Sequence, residues 1–115
     1  MCLGQSEVLV RKYDPDARQY LPADFPPDLM DRIIADSLTL VRALDYDMNT
    51  VEWAIRDGVP YAIDFMNPAP DMDINSTGYD YHRWCVEHMA DLCIRLAKEP
   101  SRQSAEMRWA NLFNP

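Results

Sequence analysis

The sequence predicts an α+β fold in which two helices cover the apolar face of an antiparallel sheet. Two observations carry this prediction. Apolar residues recur at helical spacing in two segments, and between these segments two strand-like stretches are joined by the turn dipeptide Asp57-Gly58. With 115 residues the chain is long enough for one domain and too short for two. We expect the domain to span residues 1–100, with a tail at 101–115.

The first element is a short strand over residues 7–13, which carries the apolar residues Val8, Leu9 and Val10. Asp14-Pro15-Asp16 ends it, because this tripeptide is a turn signal. Residues 14–27 contain four prolines, so we expect an irregular connection there.

The two helices are predicted over Pro27–Leu44 and Tyr79–Lys98. Proline suits the first position of the first helix, and Pro100 stops the second. The stripe of the first helix comprises Met30, Ile33, Ile34, Leu38, Val41 and Leu44. The stripe of the second comprises Tyr81, Cys85, Met89, Leu92, Cys93 and Leu96.

The hairpin between the helices is predicted from strands at 50–56 and 60–66. Each strand places large apolar residues on one face: Val51, Trp53 and Ile55 on the first, and Tyr61, Ile63 and Phe65 on the second. These two sets must face the same core. In an antiparallel pair, opposed residues must then have numbers with an even sum. That condition favours a three-residue loop, 56–58, closed by Ile55 and Val59, with Gly58 in the left-handed conformation.

The same register places Glu52 and Asp64 on one face, with Glu52 opposite Ala62 and diagonal to Asp64. Diagonal neighbours lie roughly 7–8 Å apart, within reach of one bridging cation. Asn67 follows at the end of the second strand. Two carboxylates and an amide oxygen suit Mg²⁺ or Mn²⁺. The alternative is a solvated sheet face on which these acids have no such role.

The charge and the hydropathy of the chain disfavour two classes of binding partner. The net charge is −8, and residues 45–80 alone carry eight acids and one base. An acidic chain disfavours nucleic acid as a partner, and no apolar run approaches the ~20 residues that span a membrane. Three cysteines and no cationic leader favour reduced thiols and a cytoplasmic location.

Residues 49–68 resemble the metal-binding hairpin near the C-terminal end of ATP-grasp enzymes, in which a strand acid is followed by a turn and a second strand ending in acid-x-Asn. The resemblance implies that Glu52 and Asp64 bind the Mg²⁺ (or Mn²⁺) that bridges the phosphates of ATP, with Asn67 as a further ligand. Here Asp64 and Asn67 are three residues apart instead of two. A bulge must compensate if Asn67 is a ligand.

The family also often has a base shortly before the first acid, where this chain has Asn49-Thr50. The resemblance therefore assigns the phosphate contact to Arg11 or Lys12. It implies the C-terminal part of an ATP-dependent carboxylate–amine ligase, with an unknown carboxylate substrate. Because the adenine-binding and lid regions precede this segment in the family, we expect a fragment or a truncated reading frame that binds metal weakly alone.

The competing hypothesis is a non-enzymatic α+β interaction module that self-associates through surplus apolar surface. His82, Cys85 and His88 are spaced three residues apart. Because a helix has 3.6 residues per turn, side chains at this spacing move progressively around the helix, which argues against a metal site. Asp71 and Asp73 are interpreted as turn initiators more readily than as ligands.

Overall fold

The computed structural model describes residues 1–99, and the fold is α+β with an antiparallel sheet, as predicted. Four strands form the main sheet in the order β2-β1-β5-β6, and β3 and β4 form a separate two-stranded ribbon. The strands are β1 (Cys2–Leu3), β2 (Glu7–Val8), β3 (Arg11–Asp14), β4 (Gln19–Pro22), β5 (Met48–Arg56) and β6 (Val59–Asn67). The helices are α1 (Pro27–Ala43), α2 (Ile74–Thr77) and α3 (Tyr79–Lys98). The predicted tail at 101–115 lies outside the described residues.

The predicted first strand is divided between the two sheets. β2 pairs with β1, whereas β3 pairs with β4, a strand inside the segment that was predicted to be irregular. The prediction failed because β4 ends at Pro22, and proline is tolerated at an edge where no ladder hydrogen bond is needed. The turn at Asp14 is confirmed, since its carboxylate accepts from the backbone N–H groups of Asp16 and Ala17 at 3.0 and 3.1 Å.

Both long helices form where the apolar spacing places them. α1 begins at Pro27 and buries Ile33, Ser37 and Val41, while α3 buries Tyr81, Cys85 and Leu92. The core cluster of Met1, Leu3, Tyr81 and Cys85 joins α3 to the central strand β1. None of the helices within residues 1–99 has the length and apolar content needed to cross a bilayer.

The hairpin loop differs from the prediction. Arg56 pairs with Val59, so the loop has two residues. Asp57 and Gly58 have φ values of 53° and 75°, which is the left-handed pair that a type I′ turn requires. The predicted three-residue loop is wrong, although the positive φ of Gly58 is confirmed.

Two irregularities in the β5–β6 ladder explain this error. Trp53 pairs with Ala62 but Glu52 pairs with Asp64, so Ile63 is an extra residue in β6. Near the turn, Tyr61 therefore pairs with Ala54, on the face opposite that of Trp53. Tyr61 and Ile63 are 53% and 63% exposed, contrary to the prediction that both face the core.

The predicted loop at 67–78 contains the short helix α2. Asp73 caps it by accepting from the backbone N–H of Asn75 at 2.7 Å. Asp71 accepts from the hydroxyl of Ser76 and the backbone N–H of Asp73. The Ser76 hydrogen bond, followed by that from Asp73, lowers the pKa of Asp71. The role of both acids in local turns is confirmed.

Candidate metal and ligand site on the β5–β6 hairpin

The two predicted carboxylate ligands are directly opposed. Glu52 pairs with Asp64, instead of lying diagonal to it as the unbroken ladder predicted. Directly opposed residues have Cβ atoms about 4.5–5.5 Å apart, closer than a diagonal pair. Both residues are exposed, and within residues 1–99 neither forms an ion pair with a basic side chain. Opposed like charges destabilise a hairpin, and a divalent cation between them would remove that cost.

The second irregularity brings Asn67 into line with Asp64. From Glu52 to Thr50 the chain moves two residues along β5, whereas their partners, Asp64 and Asn67, are three residues apart on β6. The extra residue of β6 is thus absorbed by a bulge, the condition under which Asn67 can serve as a ligand. Its Oδ1 atom accepts from the backbone N–H of Ala69 at 3.3 Å and retains a second lone pair.

Asn49 anchors this bulge and was not identified as a structural residue from the sequence. Its side chain is completely buried. Nδ2 donates to the carbonyl oxygen of Phe65, and Oδ1 accepts from the backbone N–H of Asn67, both at 2.8 Å. The carboxamide therefore supplies the donor and acceptor that a regular strand backbone would have offered to β6 there.

Arg11 and Lys12, the two candidate phosphate contacts, have different surroundings. Neighbouring residues of a strand point to opposite faces. The Nη2 group of Arg11 donates to the carbonyl oxygen of Tyr20 at 2.8 Å, and its Nε group is buried without a partner within residues 1–99. Lys12 is exposed. Only Lys12 is thus free to extend into solvent.

A cavity of about 700 Å³ lies among the β3–β4 ribbon, β5 and α1, and we call it the ribbon cavity. Arg11, Lys12 and Glu52 are among its lining residues, whereas Asp64 and Asn67 are not. Its aromatic lining comprises Tyr13, Tyr20, Phe25, Trp53 and Tyr81. The fold therefore brings three of the five sequence-predicted site residues, the two bases and the first acid, to one cavity.

Electrostatic coupling also connects Glu52 to this cavity. Burial, and after it the negative charge of Glu52, raises the pKa of Tyr20. Burial likewise raises the pKa of Tyr81, whose ring stacks on that of Tyr20 with centroids 5.9 Å apart. Tyr20 and Tyr81 are therefore neutral hydrogen-bonding groups at neutral pH.

Comparisons of the chain with protein-family models, curated proteins and solved structures find no match. Residues 1–99 contain no group of three or more His, Cys, Asp and Glu side chains placed to hold a metal ion. The candidate set has two carboxylates and one amide, so phosphate or water oxygens would have to complete the coordination of a cation there.

Proposed function

We propose that this chain is the cation- and phosphate-binding part of an ATP-dependent carboxylate–amine ligase resembling the ATP-grasp enzymes. The observation that supports the proposal most is the bulge between Asp64 and Asn67. It compensates for the one-residue departure from the acid-x-Asn spacing, while Glu52 stands directly opposite Asp64. Conformational irregularity of this kind is common beside active sites, where it redirects a side chain.

In the proposed site, Glu52 and Asp64 would hold Mg²⁺, with Asn67 as a neutral ligand. Phosphate oxygens of ATP would supply further ligands, since Mg²⁺ is usually held by one or two carboxylates together with phosphates. A metal held there would neutralise charge on the phosphate oxygens. In the proposed reaction a substrate carboxylate attacks the γ-phosphorus, the bond to the β–γ bridging oxygen breaks, ADP leaves and an acylphosphate forms. An amine then attacks the acyl carbon, and inorganic phosphate leaves. Lys12, exposed beside the ribbon cavity, supplies a positive charge for the phosphates.

The test is a titration with Mn²⁺ alone, followed by the paramagnetic relaxation of water protons. We expect the chain to bind Mn²⁺ weakly and the Glu52→Gln, Asp64→Asn double variant to bind it at least about tenfold more weakly, because the direct ligands are neutralised. Asn67→Ala should weaken Mn²⁺ binding less than the substitution of either acid. The matched control is Asp57→Asn, Asp80→Asn, which removes two exposed carboxylates elsewhere and should leave Mn²⁺ binding unchanged.

Urea unfolding without metal shows whether the double variant is folded. Its unfolding midpoint should not fall below that of the wild type, since the substitution removes a repulsive pair worth about 0.2–1 kcal/mol. Equal Mn²⁺ binding by the wild type and the folded double variant would contradict the proposal and leave Glu52 and Asp64 as solvated surface residues.

A second candidate function, a self-association module, is favoured by the exposed apolar residues of β6. Within residues 1–99 this strand is an edge of the main sheet. Tyr61, Ile63 and Met66 on it are 53%, 63% and 60% exposed. A long edge strand with apolar side chains is a template for pairing with another chain.

We therefore expect the chain to self-associate at tens of micromolar in sedimentation velocity despite its charge of −8. Ile63→Lys should shift the distribution toward monomer, because a charge on an edge strand opposes pairing. Val86→Lys places the same charge at an exposed apolar position of α3 and should leave the distribution unchanged. A wild-type chain that sediments as a single monomer would rule out this module.

A further inference from the structure

The ribbon cavity has the size and composition of a small-molecule site. Its volume of about 700 Å³ lies within the range of about 300–1,000 Å³ that is typical of ligand pockets. Such pockets combine a predominantly apolar lining with a few polar groups that orient the ligand. In the ribbon cavity the polar groups include Arg11, Thr50 and Glu52, and five aromatic side chains are among the other lining residues.

The aromatic rings are held in defined positions. The rings of Tyr13 and Tyr20 have centroids 5.1 Å apart and an interplanar angle of 47°. The indole N–H of Trp53 donates to the hydroxyl of Ser37 at 3.0 Å, and Ser37 is itself buried in α1. Fixed aromatic surfaces favour a planar, apolar ligand body, because the ligand does not have to order them on binding.

The polar groups of the cavity have unsatisfied hydrogen-bonding capacity. Within residues 1–99, the one hydrogen bond that the Arg11 guanidinium donates is to Tyr20, and its buried Nε group has no partner. The buried Oγ1 atom of Thr50 also has none. A buried polar group without a hydrogen-bond partner is destabilising, so two beside one cavity favour a ligand that satisfies them. Neighbouring atoms cover both groups, so a ligand reaches them only after a side chain has moved.

We propose that the ribbon cavity binds a small aromatic carboxylate. Its carboxylate binds to the planar guanidinium of Arg11, which matches a carboxylate in geometry, and its ring packs against Tyr20 and Trp53. This inference rests on the proposed ligase function, since it names the class of carboxylate that would be phosphorylated. Glu52 lines the same cavity, so a cation held by Glu52 would lie beside that carboxylate. Arg11 then positions the substrate, and Lys12 alone retains the phosphate contact.

The experiment uses phenylacetate as the probe and the indole N–H resonance of Trp53, assigned by its loss in Trp53→Phe, as the readout. We expect a saturable shift with phenylacetate and at least about tenfold weaker binding of the neutral analogue 2-phenylethanol, because only the anion pairs with Arg11. Arg11→Met should weaken phenylacetate binding to the same extent. Arg18→Met is the same substitution at an exposed position of the ribbon turn and should leave phenylacetate binding unchanged. A dispersed amide spectrum for each variant confirms that it is folded.

Three results would overturn the inference: no saturable shift with phenylacetate, equal binding of 2-phenylethanol, or unchanged binding in a folded Arg11→Met variant. If inorganic triphosphate and not phenylacetate produces the shift that depends on Arg11, this residue contacts phosphate. That result would refute the aromatic carboxylate and preserve the proposed ligase. Phenylacetate binding should persist in the Glu52→Gln, Asp64→Asn variant, so failure of the metal site and failure of the cavity are distinguishable.

Discussion

Replacing Asn49 by alanine is expected to lower the free energy of unfolding by about 2–4 kcal/mol. The side chain is fully buried, and its amide makes two hydrogen bonds of 2.8 Å to the backbone of β6. Its removal leaves the carbonyl of Phe65 and the N–H of Asn67 without partners at the bulge. Because β5 is the strand between β1 and β6, the loss destabilises the main sheet and not only the hairpin.

The comparison of two variants separates the acceptor role of Asn49 from its donor role. Asn49→Asp keeps an acceptor for Asn67 but places an oxygen against the carbonyl oxygen of Phe65, so at neutral pH it should destabilise at least as much as alanine. Acidification should restore part of that loss, since a protonated carboxyl can donate. Urea unfolding measures the free energy of unfolding of the wild type, Asn49→Ala and Asn49→Asp. Asn75→Ala, at an exposed position of α2, is the control and should change stability by less than about 0.5 kcal/mol.

If Asn49→Ala were no more destabilising than the Asn75 control, the bulge would not depend on this side chain. The alignment of Asn67 with Asp64 would then need another cause. Mn²⁺ binding by the Asn49→Ala variant connects this result to the site. We expect it to weaken, because the backbone N–H of Asn67 loses the acceptor that holds it in place.

The second large effect is a loss of stability in alkali. Burial raises the pKa of the thiols of Cys2 and Cys85, and it raises the pKa of Tyr81 well above the ordinary range. In the unfolded chain the thiols ionise near pH 8.5 and the phenol near pH 10, whereas in the folded chain they stay protonated. The folded state therefore binds more protons than the unfolded state at high pH.

The sign of the effect follows from this difference in bound protons. The contribution of these groups to stability is complete below the unfolded thiol pKa and is lost as the pH rises. Each group that stays protonated in the folded state lowers the free energy of unfolding as the pH rises. The decrease is at most about 1.4 kcal/mol for each pH unit above the pKa of that group in the unfolded chain. Burial lowers the pKa of the Met1 amino group, which acts in the opposite direction but only up to its ordinary value near 8. The alkaline loss is therefore measured from about pH 9 upward.

Urea unfolding under reducing conditions between about pH 9 and pH 11 tests this prediction. Tyr81→Phe should flatten the decline above about pH 10, and Cys85→Ala should flatten it from its onset. Cys93→Ala removes an exposed thiol of α3 and serves as the control. A wild-type chain whose stability is constant over this range would show that these groups become ionised within the fold.

The helices and the position of the hairpin could be predicted from the sequence because they depend on local signals. The apolar spacing of α1 and α3 places their buried faces, and Asp57-Gly58 places the turn. The β3–β4 ribbon could not be predicted, since β4 is four residues long, ends in proline and gains its stability from pairing with β3. The central position of β1 depends equally on partners distant in the chain.

For the candidate site, the sequence by itself determined the chemistry: which residues are acids, that Glu52 and Asp64 lie on paired strands, and that Asn67 is one residue out of pattern. Only the tertiary structure decided the register. An even-sum rule holds for an unbroken ladder, and period two cannot reveal where a bulge interrupts it. The buried amide of Asn49 forms hydrogen bonds with β6 at the second bulge, and the ribbon cavity is lined by residues of β3, β4, α1 and β5. Both are long-range contacts, which local periodicity does not encode.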